Sequence, residues 1–561
     1  MTNRVTPMSN TNLTTPIAEE TPHGVPSVEP PSAGATGSRA ATFALAAIVA
    51  LAALVRFNHL ADMSCTFDEA FCWKLTTFGF DQAWGRAALD NHPPLFFYLL
   101  LCWSSLFGDT IAVSRSLSVL IGLGGVAAAY LFVRQVESRR APRRSRAPAA
   151  FPALLAAAFM ALSPFQIDWS QQVRMYALGS TLTLFSCWLL VRALDAVTPR
   201  WQDYGPYAAT AALLAYTHYF GLFVLAAQFL YACGCCFRQK ARLDPSGRRS
   251  PDARFSMAGH VLWAFCAIAA LWLPWLPEFL RHRERVAGLF WTGPFEWEKL
   301  AGVCCHIFAV SWAHVPEGRW ASWTAGGACL LFSIGALSFS RGGLRLIGLG
   351  VLVTLGGAGL TSISLRNIVV PHYFIFCHAL LICGIAIAAA RLPGVFRELV
   401  CLALFLAVSA LCLKHMRLRD ECAERPGMMA AMAYLSDVRK RDEPVLVLNP
   451  MVQTTAMMHA ARPEFVQVLT DSRPFPYFYG TAVMRAHEYI SPATLQRLAP
   501  RRLWVIDAIN WNSGSHRTQV PEPWVDVADE AFPEWIMPSC RIVVRRWERR
   551  PSASGAASCN H

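Results

Sequence analysis

Two adjacent carboxylates, Asp68 and Glu69, lie in the stretch Cys65-Thr66-Phe67-Asp68-Glu69-Ala70, just past the first long apolar run. Asn91-His92-Pro93-Pro94-Leu95 follows and opens a further apolar run. In a chain built for lipid, charges at that level are costly and mark a working site. Three more motifs join them. One is Ser170-Gln171-Gln172-Val173-Arg174-Met175-Tyr176-Ala177-Leu178, the second Tyr216-Thr217-His218-Tyr219-Phe220-Gly221, the third Pro371-His372-Tyr373-Phe374. Arg115 stands at the start of the next long apolar run. A carboxylate can take the proton of an attacking hydroxyl. A guanidinium fork or an imidazole can hold a phosphate and stabilise it as it departs. The set therefore suits attack of an acceptor hydroxyl on a sugar carbon, with a lipid phosphate leaving. One base suffices for an inverting displacement, so the paired carboxylates of a glycosidase are not required. Each motif also has a plainer reading: a solvated acid pair, prolines opening a helix, a snorkelling arginine, an aromatic belt. Their gathering on one side of the membrane, derived next, favours the chemical reading.

The chain has 561 residues, 54% of them hydrophobic and only 16% charged. Soluble domains carry roughly 25% charged residues, so the composition points to a polytopic helical membrane protein. Apolar runs fall near 41–56, 111–133, 149–163, 175–194, 204–217, 220–237, 258–277, 321–339, 344–362, 368–390 and 398–414. Fifty Lys and Arg against 37 Asp and Glu give +13. That excess sits in short loops, such as Arg134 to Arg146 and Arg238 to Arg254, where it sets orientation rather than binding nucleic acid. The run 93–107 is short for a span of ~20 residues and rich in aromatics. Treated as a juxtamembrane helix, it leaves about eleven spans and puts every basic loop inside with the N-terminus. The loop 57–110, the loop near 280–320 and the C-terminal part then lie outside, with all the motifs above.

Residues 1–40 are Thr-, Pro- and Ser-rich and read as a disordered cytoplasmic tail. The run at 41–55 starts too late for a cleaved signal and reads as an uncleaved first span. Residues 41–414 form the membrane domain. Beyond them, 415–561 read as a small extracytoplasmic α/β domain, with strands near 443–450, 502–507 and 541–545 and helical spacing over 427–440 and 492–499. It carries no phosphate loop and no nucleophile elbow. Of 18 cysteines most lie inside apolar runs, where they act as small hydrophobes. No zinc pattern is legible, and neither a metal nor a cofactor is expected.

In combination, Asp68-Glu69, His92-Pro93-Pro94-Leu95, the Phe107-Gly108…Arg115 step, Ser170–Leu178 and Tyr216–Gly221 resemble the GT-C glycosyltransferases. More narrowly they resemble bacterial members of glycosyltransferase family 39, relatives of protein O-mannosyltransferases and aminoarabinose transferases. The resemblance covers roughly 41–390. It implies an all-α GT-C membrane fold with juxtamembrane helices in the first outer loop. It also implies a polyprenyl-phosphate sugar donor, with a mannose-like hexose or another sugar moved. By position it gives the base to Asp68 with Glu69 as its acidic neighbour, and donor contact to Arg174 and Tyr176. His92, Arg115, Gln171, His218, Tyr219, His372 and Tyr373 complete the expected substrate-binding set. The chain departs from relatives at Gln172, where an acid is usual, and at His372-Tyr373, where Arg-Tyr is common. Two other readings fit parts of the pattern. A transporter or flippase of a polyprenyl-linked sugar expects charges near the midplane of spans, and a scaffold expects the C-terminal domain to bind a partner. The acceptor, whether protein, lipid or glycan, is not written in the sequence.

Overall fold

The computed structural model describes residues 33–138, 150–196, 199–238, 251–308, 319–339, 342–460, 466–471, 475–509, 519–536 and 540–550. The expected tail over 1–40 lies outside them up to residue 32. A first helix, α1 (Ala33–Phe57), leads into three short ones: α2 (Phe67–Thr76), α3 (Phe80–Leu89) and α4 (Leu95–Phe107). There follow α5 (Ile111–Ser138), α6 (Ala150–Leu162), α7 (Pro164–Ser170), α8 (Tyr176–Asp195), α9 (Trp201–Ala215) and α10 (Phe220–Arg238). Next come α11 (Pro251–Trp272), α12 (Leu276–Gly288), α13 (Trp297–His306), α14 (Arg319–Phe339), α15 (Gly343–Ser364), α16 (Ile375–Ala390) and α17 (Gly394–Ala423).

Among the described residues nine helical segments are long and apolar enough to cross a membrane, or ten if α6 and α7 count as one broken span. The expected run 204–217 is α9, only 15 residues long, so it falls short of a full crossing by length. The run 93–107 is α4, a short apolar helix beside α2 and α3, as its length required. The break between α6 and α7 is a bend of 58° at Ser163-Pro164, where proline has no N–H to continue the ladder. Past that bend, Asp168 and Trp169 of α7 line a cavity. Helix α17 runs on to Ala423, so residue 415 falls inside a continuous helix rather than at a domain joint.

Past α17 the chain forms a mixed sheet covered by α18 (Gly427–Val438), α19 (Pro450–His459) and α20 (Pro492–Leu498). Its strands are β1 (Val445–Val447), β2 (Val466–Leu469), β3 (Tyr489–Ile490), β4 (Arg502–Ile509), β5 (Trp524–Pro533) and β6 (Arg541–Arg549). The order is β3-β2-β1-β4-β6-β5. The first four strands are parallel, and β6 and β5 return antiparallel. Strands β1 and β4 are almost wholly buried, as parallel strands packed under helices must be. Helix α19 packs against α2, so the small domain sits directly on the segment between α1 and α5.

Candidate active site

The helix that carries both acids begins with a capping box. The Thr66 hydroxyl accepts from the Glu69 N–H at 3.3 Å, and the Glu69 carboxylate accepts from the Thr66 N–H at 2.9 Å. This fixes the phase of α2 and sends its two acids apart. Glu69 turns inward and is fully buried. Arg115 of α5 grips it with two bonds, at 2.7 and 2.9 Å, and the Val173 N–H donates to it at 3.1 Å. Burial would raise its carboxyl, but Arg115 and the Thr66 and Val173 amides hold it below the usual carboxylate range. The remaining Arg115 donors bind the carbonyls of Leu60, Met63 and Ser64.

Asp68 turns outward into a cavity and is 38% exposed. Its carboxylate meets Arg174 at 2.7 Å. Arg174 is buried and also donates to the Cys72 sulfur at 3.5 Å. Burial alone would lower this guanidinium, yet Asp68 holds it well above its ordinary value. The loop bearing Arg174 is tied down on both sides of Gln172, since the Val173 N–H donates to Glu69 and Gln171 caps the end of α1. Gln171 does so by donating to the carbonyls of Arg56 and Asn58 at 2.9 and 3.0 Å.

The cavity at Asp68 has a volume of about 330 Å³. Trp169, Phe165, Trp291, His306, His372, Asp168 and Trp535 line it. A second cavity, of about 430 Å³, opens beyond an aromatic wall. His92, His218, Tyr219, His282, Arg283 and Tyr373 form its polar part, and Phe220, Phe223, Phe279, Leu365 and Ile368 its apolar part. The wall is a run of touching rings: Trp169 on His372 at 4.5 Å, His372 on Tyr176 at 4.7 Å, and Tyr373 on His218 at 4.8 Å. A bond between the Pro93-Pro94 turn and the turn that ends α9 explains how His92 and His218 meet. The Leu95 N–H, first in α4 after Pro93-Pro94, donates to the Tyr216 carbonyl at 3.1 Å. That bond sets the His92 and His218 rings 5.5 Å apart. His218 accepts from the Phe220 N–H at Nδ1. Burial, with His92, His372 and Arg174 adding to it, keeps this ring well below its ordinary value and neutral.

The structure thus brings Asp68, His92, Arg174, Tyr176, His218, His372 and Tyr373 together. Tyr219 lines the second cavity and is bonded to His282 at 2.6 Å and to the Trp275 indole at 3.1 Å. Glu69, Arg115 and Gln171, expected at the substrate, line neither cavity: Glu69 and Arg115 bind each other and nearby backbone, and the Gln171 amide N–H groups go to the end of α1. Arg174 and Tyr176 line neither cavity either; Arg174 meets the first through Asp68, and Tyr176 belongs to the ring wall. Sequence reasoning missed Asp90, Asp168 and Trp535. Asp90 had a signal, its place two residues before His92. Trp535 had none, since it arrives from a different domain.

Residues 91–242 match the family model described as dolichyl-phosphate-mannose-protein mannosyltransferase. No curated protein matches the chain in sequence. Among solved structures, ArnT from Cupriavidus metallidurans bound to undecaprenyl phosphate aligns at 13% identity and a TM-score of 0.54, over 89% of this chain and 97% of that one. ArnT from the same organism in the apo state aligns at 13% identity and 0.51, over 90% and 98%. The chain has the GT-C glycosyltransferase fold. The family segment of this GT-C protein runs from Asn91 through α10 and contains His92, Arg115, Arg174, Tyr176 and His218. It is a multi-pass membrane glycosyltransferase of the GT-C type.

Proposed function

We propose that this protein moves a sugar from a polyprenyl-phosphate donor to an acceptor hydroxyl at the extracytoplasmic face, with inversion at the sugar carbon. The observation that carries the reading is Asp68, turned into a cavity and held 2.7 Å from Arg174. The Asp68 carboxylate takes the acceptor proton as the acceptor oxygen bonds to the sugar carbon. The bond from that carbon to the phosphate oxygen breaks, and the electron pair leaves with the phosphate. In this reading the donors to that growing charge are Arg174 beside Asp68 and the hydroxyls of Tyr176 and Tyr373, from the ring wall between the two cavities. The second cavity joins a polar end to an apolar one, which suits a phosphate carrying an isoprenoid chain. The undecaprenyl phosphate bound in the ArnT crystal supports the same donor class. Glu69 and Arg115 act here as a latch between α2 and α5, not as reacting groups. The sugar is a hexose of the mannose kind or a relative, in keeping with the family segment.

The test is genetic and chemical together. A strain lacking the protein should lose a glycan visible by mass spectrometry, and the parent gene should restore it. Asp68→Asn, present in membranes at the parental level, should not restore it. In membranes it should release polyprenyl phosphate from a polyprenyl-phosphate hexose about 10²–10⁴-fold more slowly. Near-parental release by Asp68→Asn would overturn the assignment.

A further inference from the structure

His92 is one of several imidazoles around the second cavity, and its partner sets it apart. Its Nδ1 lies 2.9 Å from the carboxylate of Asp90. The other rings that face it have neutral bonding. His218 uses Nδ1 to accept from the Phe220 N–H. His282 is held at both nitrogens, by the Tyr219 hydroxyl at 2.6 Å and the Ala88 carbonyl at 2.9 Å. His372 stacks on Trp169 and Tyr176, and among the described residues it meets no carboxylate at bonding distance. Asp90 itself is nearly covered, with a side-chain exposure of 16%. Burial would raise its carboxyl, but His92 first and Arg174 next hold it below the usual range.

We propose that Asp90 is a positioning residue for the donor phosphate. It fixes the His92 ring through Nδ1, so that, once an anion enters the second cavity, the ring donates to it from the far nitrogen while Asp90 accepts from Nδ1. The proposal rests on the donor reading above and adds to it how this chain orients a hydrogen-bond donor at that point. A carboxylate behind an imidazole fixes the orientation of the ring and accepts one of its two N–H groups, which leaves the other for the ligand. Arg285 closes the arrangement from α12. Its guanidinium donates to the carbonyls of Leu89 and Asp90 at 2.8 and 3.0 Å, so the Asp90 backbone is fixed before any ligand binds.

The test measures binding of two probes, undecaprenyl phosphate and undecaprenol, to the full-length protein in detergent micelles. Asp90→Asn should weaken undecaprenyl phosphate binding roughly tenfold or more, the loss expected for a charge-assisted hydrogen bond. It should leave undecaprenol binding at the parental level, since that probe has no anion. His92→Gln should behave alike, and the double variant should bind no worse than His92→Gln alone, because the carboxylate acts only through the ring. Equal weakening of both probes by Asp90→Asn would mean a merely structural role and would overturn the proposal. So would two losses that multiply in the double variant, or an Asp90→Asn protein that binds the phosphate probe like the parent. Asp68→Asn separates the two readings. If Asp68→Asn is inactive while Asp90→Asn binds as the parent does, only the role of Asp90 fails. If Asp68→Asn transfers sugar normally, the proposed function itself fails.

Discussion

Glu69 and Asp68 are neighbours in sequence with opposite fates, and the reason is one turn of helix geometry. The capping box draws Glu69 back over the start of α2 and into the grip of Arg115. Asp68, one residue earlier, points along the opposite side of the turn toward Arg174. Side chains one position apart on a helix do not share a face. Residue types alone marked the pair as functional without telling the acids apart; the family resemblance gave the base to Asp68, while the direction each acid takes depends on where α2 begins. Thr66 three residues before Glu69 is the clue that assigns the start. A buried ion pair that loses one member leaves an unpaired charge, at a cost of about 3–5 kcal/mol. Glu69→Gln should therefore lower the melting temperature and the membrane yield sharply, because Arg115 keeps its charge in a closed site. The fraction that folds should retain much of its turnover per molecule. A thermal melt with turnover normalised to folded protein checks this. A variant that melts like the parent yet has lost all turnover would return Glu69 to the chemistry.

At the scale of elements, the apolar runs were legible because lipid demands them, and ten of the eleven expected spans coincide with long or broken apolar helices. What the runs did not reveal is how closely the helices approach. At Gly179, on α8, a Cβ would collide with the Phe376 ring of α16. Small residues permit such close backbone approach between membrane helices. Phe376 in turn lies 5.5 Å from the His218 ring, so the contact supports the wall between the cavities. Gly179→Ala should cost about 1–3 kcal/mol through overpacking, measured as a lower melting temperature. It should also weaken undecaprenyl phosphate binding as Phe376 presses on His218. Unchanged melting and binding would show that α16 yields without disturbing the wall. In the C-terminal sheet, β1, β4 and β6 were legible as buried apolar stretches, whereas β5 was not. Its Asp526, Asp529 and Glu530 break any apolar alternation, since β5 lies at an exposed edge.

The molecule as a whole holds the loop that carries Asp68 between two domains, and this was illegible in one sequence because the partners lie hundreds of residues apart. Ser64 donates to Glu534 at 2.6 Å, and the Trp535 indole donates to the Ser64 carbonyl at 3.0 Å. Past the acids, Lys74 is buried against Glu488 at 2.7 Å and Gln453 at 2.9 Å. The C-terminal domain therefore grips α2 from before its first turn to its last, and Trp535 reaches the Asp68 cavity from it. One of these ties titrates. The Cys65 N–H donates to Nε2 of His459, at the end of α19, at 3.0 Å. That bond needs an unprotonated nitrogen. Burial pushes His459 down to about 4, with Arg115 pushing the same way and Glu69 opposing. In the unfolded chain the same group titrates near 6.5. A base whose folded value is depressed contributes stability that is complete above the unfolded value. That stability is lost as pH falls toward the folded value, since the unfolded state takes up the proton first. The protein should accordingly lose thermal stability between about pH 6.5 and pH 4 in part through this residue. His459→Gln keeps an acceptor for the Cys65 N–H and cannot protonate, so its melting temperature should fall less steeply over that window. Parent and variant melting curves that run parallel from pH 7.5 to pH 4.5 would remove His459 from the account and leave the Lys74 and Glu534 contacts to hold the loop.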